Sequence, residues 1–192
     1  MALLFAFVVK SSALAASGTN LIIFERRVPG LSKGGLARFV SRAKRAVRLT
    51  GGVDVMITNN RELRRLNQRF RGKDQATDVL SFPAAPGRSD GFAGEIAISA
   101  EIATQNAHRL GHTAREEVTI LALHGILHLA GYDHERDDGA MASKEAHLRR
   151  WLGLPLGLIE RNTEPHRNRR SVGRRNSRKV RAKRGALPAS AP

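Results

Sequence analysis

No cysteine occurs among the 192 residues. Disulfides and thiolate metal ligands are excluded, so any bound metal must be held by His, Asp or Glu. The same absence fits a reducing compartment, and a cytoplasmic location is expected. No apolar run is long enough to span a bilayer. The apolar stretch Met1 to Val9 has no basic segment before it and is followed at once by Lys10. Residues 1–20 are therefore expected to be a leader or extension of unknown role rather than a signal peptide. Acids are scarce as well: 17 Asp and Glu stand against 33 Lys and Arg, for a formal net charge of +16. Much of the excess lies in residues 161–192, where Glu164 is the one acid. Such a balance admits nucleic acid, anionic membrane or acidic protein as partner. Val172, Val180 and Leu187 are too scattered to form a membrane-lying face, so no membrane role is expected and 161–192 reads as a disordered basic tail.

What remains, residues 21–160, suits one folded domain with no internal repeat. Leu21–Phe24 reads as a strand. A helix begins at Ser32, with Leu36, Phe39, Val40, Ala43 and Val47 on its inner face. Its bases, Arg38, Arg42 and Arg45 among them, fall off that face and read as solvated. Val53–Thr58 has the alternation of a strand. Asn59 and Glu62 start a helix with Leu63, Leu66 and Phe70 inside. Arg71-Gly72-Lys73-Asp74 is a polar turn into the strand Val79–Phe82, closed by Pro83, and residues 84–92 form a mobile loop. The strand Gly94–Ile98 leads to a helix capped by Ser99 and ended by Gly111. Thr113 and Glu116 cap the next, Ala114 to Ala130, which is apolar on almost every side and belongs at the centre of the core. The last helix is expected to turn Met141, Leu148, Trp151 and Leu152 inward.

Three of the seven histidines fall within His124-Gly125-Ile126-Leu127-His128-Leu129-Ala130-Gly131-Tyr132-Asp133-His134. His124 and His128, four apart, share a helix face. Gly131 can turn the chain so that His134 completes a three-nitrogen site, with zinc the usual occupant and a fourth position open. A single buried histidine is usually a core residue with its nitrogens satisfied, which suffices for His147. His108 and His112 are also four apart, but Gly111 separates them, and no metal role is expected of the pair. Asp133 and Glu95 are candidates to orient a ligand's second ring nitrogen, though each reads more simply as an ordinary polar residue.

The spacing is that of metzincin proteases, which carry Glu directly after the first His as general base. Here that residue is Gly125, which argues against a peptidase of that mechanism. Glycine in a helix interior also costs about 1 kcal/mol relative to alanine. Its presence points to a close approach, by substrate or neighbouring backbone, or simply to tight packing of two elements. Without the carboxylate the site keeps its full positive charge and suits an anionic substrate. Zinc can lower the pKa of bound water to about 7 without a base, and can polarise a phosphoryl oxygen. A cation to stabilise charge on phosphorus is then required. Arg71, in a loop leading into a strand, is the first candidate, and Lys73 beside it is well placed to touch substrate.

The histidine segment resembles the YbeY family of bacterial endoribonucleases. So does Arg71-Gly72-Lys73-Asp74 running into Thr77-Asp78-Val79-Leu80-Ser81-Phe82-Pro83. Gly94-Glu95-Ile96 is similar to the family's Gly-Asp-Ile segment. The resemblance runs from about Leu21 to about Leu152. It implies an α+β fold: a small mixed, mostly parallel sheet packed with helices around the histidine-bearing helix, with a zincin-like metal site. It implies that His124, His128 and His134 bind one zinc ion and that Arg71 is needed for activity. It further implies cleavage of single-stranded RNA, maturation of the 16S rRNA 3′ end and ribosome quality control, with the small subunit and assembly factors as partners. The nucleophile would be metal-bound water or an RNA 2′-OH. Two other functions stay open: a non-catalytic RNA-binding assembly factor with a structural metal, or a metallohydrolase of another substrate class.

Overall fold

The computed structural model describes residues 18–155, apart from residues 86, 88–90 and 135. The expected basic tail, most of the expected leader and part of the expected loop lie outside the described residues. In chain order the elements are β1 (Ile22–Phe24), α1 (Lys33–Ala46), β2 (Gly52–Thr58), α2 (Asn60–Arg71), β3 (Val79–Pro83), β4 (Phe92–Ser99), α3 (Ala100–Leu110), α4 (Ala114–Leu129) and α5 (Ala140–Leu152). The strands form one sheet in the order β1-β2-β4-β3. β1, β2 and β4 run parallel, and β3 pairs antiparallel with β4 at the edge. This is the mixed, mostly parallel α+β architecture expected.

Strand alternation divides the core. Val53, Val55, Ile57, Ile96 and Ile98 point to one face, where they pack with Leu36, Val40, Leu121, Ile126 and Leu127 from α1 and α4. Met56, Leu80 and Ala97 point to the other and meet Leu63 and Leu66 of α2. Local signals set the helix starts: the side chains of Ser32, Asn59, Ser99 and Thr113 each accept from a backbone N–H in the first turn, with a full capping box at Thr113 and Glu116. Helix α4 is buried nearly throughout, as its all-round apolar sequence requires. No helix among the described residues is long and apolar enough to cross a membrane.

Two expectations need correction. Trp151 does not face inward. It is 60% exposed, because the inner stripe of α5 is Met141, Glu145 and Leu148 instead. Arg71 is not in a loop. It is the last residue of α2, which Gly72 ends in a left-handed conformation at φ 69°.

Gly125 faces the sheet. A Cβ there would lie 2.9 Å from Ile96 Cδ1, Ile96 Cγ2 and Ser81 Oγ. The close approach is therefore by β3 and β4, not by a substrate. Packing against β3 and β4 explains the glycine.

Candidate metal centre

The site forms where α4 runs out. His124 lies buried in its third turn, and His128 sits one turn on, half-buried. Helix hydrogen bonding stops at Ala130. Gly131 takes φ 91°, a conformation an L side chain rarely adopts, and donates to the His128 carbonyl at 3.0 Å. Tyr132 N–H returns to the Leu127 carbonyl at 3.1 Å, which carries the chain back over the helix end. Asp137 holds the rest of the turn: its Oδ2 accepts from Asp133 N at 3.3 Å and from Met141 N at 2.9 Å. The second bond caps α5, whose own N-cap, Gly139, has no side chain to do so.

The three imidazoles converge. Ring centroids are 4.7 Å apart for His124 and His128, 5.3 Å for His124 and His134, and 5.2 Å for His128 and His134. One nitrogen from each lies within 4.8 Å of the other two. Partners of the remaining nitrogens decide the tautomers. His124 Nδ1 is 3.0 Å from Glu145 Oε2 in α5, and His128 Nδ1 is 3.0 Å from the Tyr132 carbonyl oxygen. A carbonyl and a carboxylate can only accept, so both Nδ1 atoms carry the proton. Both Nε2 atoms then present lone pairs, and they face each other at 3.1 Å. Two lone pairs at that distance repel unless a cation lies between them. Tetrahedral zinc, with bonds of about 2.0–2.1 Å, sets its ligand nitrogens about 3.3 Å apart. The donor set therefore fits such an ion and leaves its identity open among metals that imidazole suits.

The electrostatics favour the neutral, ligating form. Burial, reinforced by the neighbouring His124 and His134, lowers the His128 pKa from 6.5 to about 4. In metal-free protein the unfolded chain then takes up this proton as pH falls below about 6.5, while the folded chain resists until about 4. Stability should decline across that window and level off below it. Melting temperatures of the metal-free protein against pH measure this, and His128→Gln should flatten the decline.

Glu145 was not legible as a partner from spacing to the histidines, being 21 residues beyond His124. A weaker signal existed: it is an acid on the apolar stripe of α5, where a carboxylate needs a partner. Asp133 and Glu95 were the candidates from the sequence, yet the acceptors on His124 and His128 are Glu145 and the Tyr132 carbonyl. His112 lies past Gly111, which ends α3 at φ 74°, and its Nε2 meets the buried Glu117 Oε2 at 2.7 Å.

Arg71 and Lys73 are exposed and stand on the α2 side of the sheet, opposite α4. Phe70 meets Phe82 edge-on at 5.0 Å, and Phe82 pairs with Glu95. On the other face, Gly125 and Leu129 of α4 lie against Ile96 and Gly94. Arg71, next in sequence to Phe70, is thus close to the edge strand β3.

A family model described as Endoribonuclease YbeY matches residues 33–152. A protein of Koribacter versatilis (strain Ellin345) named Endoribonuclease YbeY is 53% identical over 145 residues, covering 76% of this chain and 93% of that one. Its namesake in Solibacter usitatus (strain Ellin6076) is 48% identical over 141 residues, covering 73% and 92%. A solution structure from Thermotoga maritima is 28% identical with a TM-score of 0.48, covering 79% of this chain and 100% of that one. With residues 33–152 matched by the family model and three quarters of its length by a relative 53% identical, the chain belongs to the YbeY family.

Proposed function

We propose that this chain is a zinc-dependent endoribonuclease that cuts single-stranded RNA and acts in 16S rRNA 3′-end maturation and ribosome quality control. The convergence of two proton-free Nε2 atoms 3.1 Å apart, with His134 beside them, carries the metal part of the reading. The printed names of the relatives, Endoribonuclease YbeY, support RNA as substrate. Zinc bound there would supply Lewis acidity at a phosphate and lower the pKa of water.

The residues of the chain have separable tasks. His124 and His128 offer lone pairs because Glu145 and the Tyr132 carbonyl take their Nδ1 protons. His134, the exposed member, sits on the solvent side, so the centre is open to a large substrate. This openness favours the catalytic reading over a structural metal, whose sites are usually closed. Arg71 would reach past the edge of β3 to hold the phosphate, with Lys73 following the strand. Neighbouring charges on α2 are already engaged, Arg64 with Asp74 and Arg65 with Glu62, each at 2.6 Å. The small ribosomal subunit and its assembly factors would be the partners, in the cytoplasm.

Cleavage of a single-stranded rRNA fragment tests the proposal. His128→Ala should abolish it, and Arg71→Ala should slow it by roughly 10²–10³-fold, the usual cost of one donor to developing charge. Both variants should keep the wild-type circular dichroism spectrum. Undiminished cleavage by His128→Ala would refute the mechanism.

A further inference from the structure

Trp151 is the single tryptophan of the chain and stands 60% exposed at the end of α5. Among the described residues Leu110 is the one other exposed large hydrophobic side chain, at 38%. A ring of this size is usually turned into the core, and the inner stripe of α5 was available to it. It lies instead beside α1, where the Arg42 guanidinium carbon is 5.6 Å from the ring centroid.

The two helices that meet there present bases and no exposed acid. Arg38, Arg42 and Arg45 are exposed and follow one another at i, i+4 and i+7, in a single row along α1. Helix α1 contains no acid. The one acid in α5 is Glu145, which is buried against His124, while Arg150 beside the tryptophan is exposed. A flat aromatic surface among cations with no exposed carboxylate on either helix matches one ligand chemistry: a base joined to phosphates. Aromatic rings that stack bases beside a positively charged track are how sequence-tolerant single-strand binding is built. Glu145 and Trp151 share α5, six residues and about 9 Å of axial rise apart and about 240° apart around it, so the ring stands on the helix that supplies the His124 partner but on another face of it, toward α1.

We infer that Trp151, with the Arg38–Arg42–Arg45 row, forms a base-stacking subsite for single-stranded RNA on the α1–α5 face of the domain. The inference rests on the RNA reading above and adds to it a second place of contact.

Because the chain has one tryptophan, its fluorescence reports on this ring alone. The full-length protein is titrated with a single-stranded RNA oligonucleotide and, separately, with inorganic polyphosphate of matched charge, while binding is followed independently by anisotropy of a labelled oligonucleotide. RNA should quench the tryptophan saturably, at the concentrations where anisotropy rises, and polyphosphate should not. Trp151→Ala should weaken RNA binding roughly 5- to 150-fold, the range for one stacked base, and Trp151→Phe should recover part of the loss. Arg42→Ala should reduce the salt dependence of binding by about one phosphate contact. RNA binding with unchanged fluorescence, or with wild-type affinity in Trp151→Ala, overturns the subsite and leaves the nuclease reading standing. Equal quenching by polyphosphate overturns stacking in favour of charge alone. If the protein neither binds nor cuts RNA, the subsite and the nuclease reading fall together.

Discussion

Glu145→Gln is expected to weaken zinc binding about 10- to 100-fold, the usual cost of losing a partner that orients a metal-ligating histidine. The carboxylate is 1% exposed and meets His124 Nδ1 at 3.0 Å. It holds the ring at one angle and fixes the proton on Nδ1, which frees Nε2 to ligate. A glutamine of the same size can still accept one hydrogen bond, but it brings no negative charge and can turn its NH₂ toward the ring. Competition for zinc against a chromogenic chelator measures the change. A glutamine variant that held zinc as tightly as the original protein would show that His124 needs no such partner. Glu145→Ala should do more, because Arg149 Nη1 lies 3.6 Å from Glu145 Oε1 and is itself buried. Removing the carboxylate from beside it should lower stability by on the order of 3 kcal/mol, visible as a lower melting temperature even without metal.

Gly94→Ala is expected to be strongly destabilising. A Cβ there would sit 2.5 Å from the Phe82 carbonyl oxygen, 2.7 Å from Leu129 Cδ2 and 3.2 Å from Pro83 Cα. Two of the three obstacles are backbone of the paired strand and cannot rotate away. The glycine also takes φ 151°, where an L side chain is strained. Strain of about 1–3 kcal/mol and overpacking of about 1–3 kcal/mol act together. Their sum is a large part of the 5–15 kcal/mol that holds a typical domain. Leu129 follows His128 directly, so a relief that moves the Leu129 backbone shifts the end of α4. Loss of stability should therefore come with loss of metal affinity. Urea denaturation measures the first and chelator competition the second; a variant within about 0.5 kcal/mol of wild type would contradict the packing described.

Most of the fold was readable because its signals are local. Asn59 and Thr113 cap their helices by their own side chains, Gly111 ends α3 at positive φ, and the alternation in Val53–Thr58 divides cleanly between the two sheet faces. The convergence of His124, His128 and His134 was readable for the same reason, since a helical turn and one glycine bend bring them together. What escaped depends on approach between distant segments. Gly125 could not be assigned to substrate or packing until β3 and β4 were placed against it. Glu145 became a partner of His124 only through the docking of α5 on α4. Trp151 was expected inside because helical periodicity counts apolar residues and takes no account of a guanidinium waiting on another helix.

The turn held by Asp137 has a consequence for how the centre assembles. Two of its three imidazoles ride on the most deeply buried helix, so their separation is set when the domain folds. The third arrives on a short tether pinned by two hydrogen bonds to one carboxylate oxygen. An ion held there would therefore require the ordering of little more than His134, and a chelate of three would cost scarcely more entropy than the closure of its last arm. Because the same carboxylate oxygen caps α5, the helix that supplies Glu145, that arm and the orientation of the first ring are set by one residue.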